Sequence, residues 1–325
     1  MQLSYEQKRE FHRSIMLRHR QLARAFAVYQ TPSLFREPKN SHVARDRSVG
    51  FFPKIQSVWS SPQELLSAKR VRKGVHSVWF GGLPIDFELS TNRADVLLVV
   101  FHGALDPKTT LPIFSGGNVA SGLGVARLSF TDPSLYLSPQ LGLGWHAGNV
   151  FQPDLQAVTT TLIEKVASSV GAKRIILFGS SGGGFASLMQ LTALPSATAV
   201  VSNAQTDIFR YHDFHVKKYL DTAWHGDDDA FKKQHGYSAM PRLDKLTQTP
   251  KVYYLQNSTD TFHINGHLNP FLEASAGKMK VSLLTDDWGS GHIAPPKSLF
   301  KATLNAVILR DELTLQSLGF KPVSD

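Results

Sequence analysis

The stretch Arg174–Ser187, RIILFGSSGGGFAS, leaves few folds open to the chain that contains it. Four apolar residues in a row, Ile175 to Phe178, suit a strand covered on both faces of a parallel sheet. Phe185, Leu188, Met189 and Leu191 then recur at helical spacing. Between them Gly179-Ser180-Ser181-Gly182-Gly183 fits G-x-S-x-G with Ser181 central. A strand that turns sharply into a helix at a serine lifts that hydroxyl above the sheet edge. The turn strains its central residue, so small neighbours are needed on both sides. The Gly182 N–H at the helix start is placed to stabilise developing negative charge. A phosphate-binding loop fits less well, because neither G-K-[ST] nor G-x-G-x-x-G is present.

The flanking pattern predicts an α/β protein with a mostly parallel sheet. Val78–Phe80 and Ile85–Leu89 flank Gly81–Pro84 and predict an antiparallel hairpin. Further strands are predicted at Val96–Phe101, over 125–130, and at Thr198–Ser202, Val252–Leu255 and Met279–Leu284. Helices are predicted over 154–170 and, as one terminal helix, 296–315. Residues 208–249, between two sheet strands, are rich in aromatic and charged residues and read as a cap or lid insertion.

Charge divides the chain. Residues 1–75 hold 15 Lys/Arg against 5 Asp/Glu, and the remainder 20 against 21. We therefore divide it into a basic N-terminal helical extension, 1–75, and a catalytic domain, 76–325. Phe11, Ile15, Leu22, Phe26 and Tyr29 form an apolar stripe on a helix over 4–29, with Arg and Lys mostly off it. Such a helix suits an anionic partner or a membrane surface, or docking on its own domain. No nucleic-acid partner is expected. The chain has no cysteine, which excludes disulfides, thiolate catalysis and Cys-based zinc sites. The N-terminal MQLSYEQKREFHRS lacks the apolar core of a signal peptide, so a cytoplasmic location is the expectation.

Beyond the elbow, residues 76–325 resemble an α/β-hydrolase, because nucleophile, acid and histidine come in that family's order. The resemblance implies that fold, a parallel sheet flanked by helices. It also implies a Ser181–His292–Asp260 triad. Asp260 follows the strand after the cap, and His292 follows the last strand in Gly289-Ser290-Gly291-His292. Asp207 is the rival acid. Asp286 and Asp287 read as loop-capping residues. In the family the second oxyanion donor follows Phe101, here in His102-Gly103-Ala104. The Ala104 N–H, or that of Gly103, would act with Gly182. His102, Trp145 and His146 are the candidate pocket contacts, with His102 structural rather than catalytic. The implied reaction is hydrolysis of a small-molecule or carbohydrate ester, with acyl transfer to an alcohol and a non-catalytic binding role as alternatives. No cofactor is implied. His212 and His215 lack any metal-ligand motif, so no metal site is assigned.

Overall fold

The computed structural model describes residues 38, 40–48 and 56–323, so the helix expected over 4–29 lies outside the described residues. The strands are β1 (Gln56–Trp59), β2 (Gly74–Phe80), β3 (Leu83–Leu89), β4 (Val96–Phe101), β5 (Ala126–Phe130), β6 (Arg174–Ser180), β7 (Thr198–Ser202), β8 (Lys251–Asn257), β9 (Lys280–Asp286) and β10 (Lys321–Pro322). They form one sheet in the order β1-β2-β3-β5-β4-β6-β7-β8-β9-β10. From β5 through β9 every pairing is parallel, whereas β3 and β10 run antiparallel to their neighbours.

Alternation along β4 shows why the inner strands are apolar throughout. Leu97, Val99 and Phe101 pack into one core layer, and Val96, Leu98 and Val100 into the other. The first layer is covered by α2 (Leu155–Val170) and α3 (Gly182–Ala193), after a short α1 (Pro62–Ser67). The second is covered by α6 (Lys297–Leu309) and α7 (Glu312–Ser317) through Phe300, Leu304, Val307 and Leu315. A strand covered on both faces has no polar side to show.

Three details differ from the sequence-based expectation. The sheet begins at Gln56, because β1 pairs in parallel with β2; four residues are too few to show a period. The hairpin turn shrinks to Gly81-Gly82, with Phe80 opposite Leu83. Both glycines take positive φ, 54° and 74°, as a two-residue turn between twisted strands requires. The terminal helix is two helices. Arg310 adopts φ 58° and closes α6, and the Asp311 side chain caps α7 by accepting from the Thr314 N–H.

Part of the N-terminal positive charge is used inside the fold. Arg45 donates to the carbonyls of Leu141, Pro107 and Thr109 at 3.0, 2.8 and 2.6 Å. Arg47 donates to buried Asp86, which also accepts from Ser77 Oγ at 2.6 Å and Tyr136 Oη at 2.5 Å. Breaking such a buried pair from one side costs roughly 3–5 kcal/mol.

The 208–249 insertion is helical, with α4 (Asp213–Ala223) and α5 (Asp228–Lys233). Tyr219 Oη donates to Gly148 O at 2.6 Å, and its ring meets Trp145 edge-on. The insertion therefore packs on the loop around 143–151. The His292 side chain stays 36% exposed, so the neighbouring site is open to solvent. Among the described residues no helix is long and apolar enough to cross a membrane.

Candidate active site

The chain runs from β4 to β5 on one side of β4, then crosses back to β6 on the other. Such a reversal opens a crevice at the carboxyl ends of the strands, where ligands bind in open α/β sheets. Gly103, Ser181, Gln205, Asp260 and His292 follow β4, β6, β7, β8 and β9 respectively, so the sheet brings five distant segments to one edge.

Ser181 sits between β6 and α3 with φ 56° and ψ −122°. That conformation costs on the order of 1–3 kcal/mol and persists only where its surroundings enforce it. Here they do. A Cβ on Gly179 would lie 2.1 Å from Gly183 O, and one on Gly183 would lie 2.3 Å from Phe101 O. The two glycines let strand and helix backbones close on the serine. The Ser181 N–H is tied to Ser202 O at 2.9 Å. At the first helical position, the Gly182 N–H has no intrahelical acceptor.

His292 Nε2 lies 3.0 Å from Ser181 Oγ, and His292 Nδ1 lies 2.6 Å from Asp260 Oδ2. Asp260 is buried at 3% exposure and accepts a second bond at Oδ1, from His263 Nδ1 at 2.9 Å. Burial pushes its carboxyl upward, but the hydrogen bonds from His292 and His263 outweigh that and hold it below the usual carboxylate range. Asp207 makes no such contact. It caps the following turn through Phe209 N at 2.9 Å, and burial raises its pKa. Asp286 and Asp287 accept backbone N–H bonds within their own loop.

Gly103 stands against the elbow: a Cβ there would come within 3.6 Å of Ser181 Cβ and 3.8 Å of Gly182 N. His102 Nδ1 is 2.7 Å from Gly103 O, and its Nε2 accepts from the Asp132 N–H at 3.0 Å. Both ring nitrogens are engaged by the backbone, and burial depresses the ring's pKa. His102 thus orients the Gly103–Ala104 peptide, whose N–H points away from the held carbonyl. His146 and Trp145 are buried, with φ 53° and 55°. The His146 N–H donates to Asp132 Oδ2 at 2.8 Å, and its ring packs on His102. Trp145 Nε1 donates to Gln205 Oε1 at 2.8 Å. These side chains make contacts within the protein that shape the wall behind the elbow.

Sequence reasoning passed over five residues. Gln205 Nε2 lies 2.8 Å from Ser181 Oγ and 3.3 Å from His263 Nε2. The His263 ring is stacked on His292 at 3.9 Å. Asn257 Nδ2 donates to Gly289 O and Gly291 O at 2.7 and 2.6 Å. Thr259 Oγ1 also donates to Gly289 O, and Asn203 Nδ2 to Ile293 O at 2.8 Å. Glycine loops presenting a histidine are loose by nature, and these amides pin this one from β7 and β8. The available signal was a cluster of polar residues directly after a buried strand, as with Asn203, Gln205 and Thr206.

Asp260, His263 and His292 have ligand-type atoms within 4.8 Å of one another. Both histidines already turn Nδ1 toward the carboxylate, so a cation there would displace two hydrogen bonds. His212 stacks instead on Phe262 at 4.2 Å, and His215 lies 5.5 Å from Tyr211.

No family model matches the chain, and no curated protein matches it by sequence. Similar solved structures include the capsule O-acetyltransferase of Neisseria meningitidis serogroup A, 13% identical, with TM-score 0.55 over 75% of this chain and 98% of that one. An S-formylglutathione hydrolase from Agrobacterium tumefaciens is 16% identical, with TM-score 0.51 over 76% and 95%. The Pyrococcus horikoshii acylaminoacyl peptidase is 12% identical, with TM-score 0.53 over 74% of this chain and 42% of that one. At such identities the likeness speaks for architecture. This chain has the α/β-hydrolase fold, a mostly parallel sheet flanked by helices.

Proposed function

We propose that the protein is a serine esterase working through an acyl-enzyme. One observation carries the reading: a strained Ser181 whose Oγ lies 3.0 Å from His292 Nε2, with His292 Nδ1 2.6 Å from a buried carboxylate. A serine hydroxyl is a poor nucleophile until a base takes its proton. In the first step Ser181 Oγ attacks the ester carbonyl while His292 takes the hydroxyl proton. Asp260 stabilises the imidazolium without taking that proton. The Gly182 N–H, with that of Ala104 or Gly103, stabilises the oxyanion. Collapse expels the alcohol, which receives the proton from His292. Water then attacks the acyl-enzyme, His292 takes its proton, and the carboxylic acid leaves as Ser181 regains its hydrogen. An open His292 supports hydrolysis, because water can reach it.

Acyl transfer to a carbohydrate or other alcohol is the second reading. From the His263/His292 stack a series of rings runs outward through Tyr211, Phe262 and His215 to Phe214, which is 70% exposed. Flat ring faces beside the open histidine suit a cyclic alcohol, and an O-acetyltransferase is among the similar structures.

A fluorophosphonate probe and a series of p-nitrophenyl esters of rising acyl length test the reading. Ser181→Ala should lose both labelling and turnover, a fall in kcat of about 10⁴–10⁶. Undiminished turnover in that variant would remove Ser181 from the mechanism. Product analysis with and without sugar acceptors separates hydrolysis from transfer.

A further inference from the structure

The structure assigns Gln205 and His263 as positioning residues that close the Ser181–His292–Asp260 line into a ring of five hydrogen-bonded side chains. The assignment rests on Ser181 as nucleophile and explains how its proton is aimed.

The direction of every bond follows from one anchor. An indole N–H can only donate. Trp145 Nε1, at 2.8 Å, therefore fixes the Gln205 carbonyl on its own side. The Gln205 amide nitrogen must then face Ser181 Oγ at 2.8 Å and His263 Nε2 at 3.3 Å, one N–H for each. Because His263 Nε2 accepts, its proton sits on Nδ1 and is donated to Asp260 Oδ1. Burial holds the His263 pKa down to about 4, so the ring is neutral at ordinary pH. Asp260 Oδ2 takes the Nδ1–H of His292, which leaves His292 Nε2 as the acceptor. Ser181 Oγ already receives the Gln205 N–H, so its own hydrogen is directed at His292 Nε2. No member can reverse its bond without setting two donors or two acceptors face to face.

Each positioning residue has its own effect. Gln205 removes the alternative Ser181 hydroxyl rotamers that point away from the base, and its N–H stabilises Oγ as that atom loses its proton. His263 shares the Asp260 charge, so the carboxylate pulls less strongly on His292 than an unshared one would. The other titratable groups facing the stack are Tyr211, raised by burial, His267, lowered by burial to about 3, and His212 across Phe262. His267 is neutral in the working range, and the tyrosine is a neutral phenol.

Two near-isosteric variants test the ring with the full-length protein and a p-nitrophenyl ester. Gln205→Glu keeps the acceptor for Trp145 but places a carboxylate oxygen against Ser181 Oγ. The serine hydrogen should turn to that oxygen, with kcat falling about 100-fold and KM staying within about twofold, in the range of a lost general-base contact. His263→Phe keeps a ring on His292 and deletes the donor to Asp260. The acid limb of kcat/KM should then move to higher pH by about one unit, the scale of one charge-assisted hydrogen bond. A merely structural role would lower activity at every pH without moving the limb. Fluorophosphonate labelling of the wild type separates the two levels of inference. If the wild type is not labelled at Ser181, the nucleophile reading fails and the ring goes with it. If the wild type is labelled and both variants keep its kcat and acid limb, the ring assignment alone is overturned. Should Gln205→Glu not fold by circular dichroism, the limb in His263→Phe decides.

Discussion

Asp260→Asn removes one charge and replaces one carboxylate acceptor by an NH2 donor. Both Asp260 oxygens accept from a histidine Nδ1, His292 at 2.6 Å and His263 at 2.9 Å. An asparagine offers one oxygen and one NH2, so only one of the two positions still accepts. If the NH2 faces His292, that ring takes the Nε2–H tautomer and cannot accept the Ser181 proton. If it takes the Oδ1 position, His292 keeps its acceptor and His263 Nδ1, 2.9 Å from the Oδ2 position as well, shares that oxygen. Both arrangements lack the charge that stabilises the imidazolium. A wrong tautomer costs about 10⁴ in kcat, roughly 5.4 kcal/mol of barrier. Asp207→Asn is the control, since the Asp207 carboxylate bonds Phe209 N–H and Ser238 and touches no member of the ring; kcat should stay within about twofold for a change outside the site. Stability gives a second readout. The folded-state pKa of Asp260 is depressed, so its contribution is present above the unfolded value near ~3.9 and lost as pH falls through the folded value. The variant should lack that acid-range loss. Steady-state kinetics with urea unfolding at pH 7 and pH 3 measures both. A larger kcat loss in Asp207→Asn than in Asp260→Asn would refute the reasoning.

Gly183→Ala places a Cβ 2.3 Å from Phe101 O and 2.9 Å from His102 C, so it should destabilise by about 1–3 kcal/mol in urea melts and lower kcat by displacing the elbow. His76, His263 and His267 are buried neutral with pKa values lowered to about 4, 4 and 3. The unfolded chain takes up protons near ~6.5, so folding stability should fall as pH drops from about 6.5 toward 4, and His267→Gln should flatten part of that slope in denaturant midpoints. Removal of residues 1–37 should leave the acyl-enzyme burst intact, whereas removal of residues 1–69 should unfold the protein, because it deletes β1 and leaves Asp86 buried without Arg47. A lost burst in the shorter truncation would bring that segment into the site.

The elbow was legible because local rules suffice for it. Gly179, Ser181 and Gly183 lie within five residues, and a buried strand and an apolar helix stripe announce themselves by period. The order of Ser181, Asp260 and His292 was legible through resemblance to a family, not through any local signal. The hairpin and the terminal helix were found with the wrong limits, since turn length and the break at Arg310 depend on pairing and packing outside each window. What the sequence could not disclose is which polar residues converge. Gln205, His263, Asn257, Thr259 and Asn203 read as ordinary loop or core positions until neighbouring parallel strands set their carboxyl ends side by side. Hydrogen bonds of 2.6–3.3 Å across tens of residues of chain are made by sheet register, and register is set by the whole core. The nucleophile was therefore written into fourteen contiguous residues, while the direction of its proton was decided only when four strands, β6 to β9, had paired.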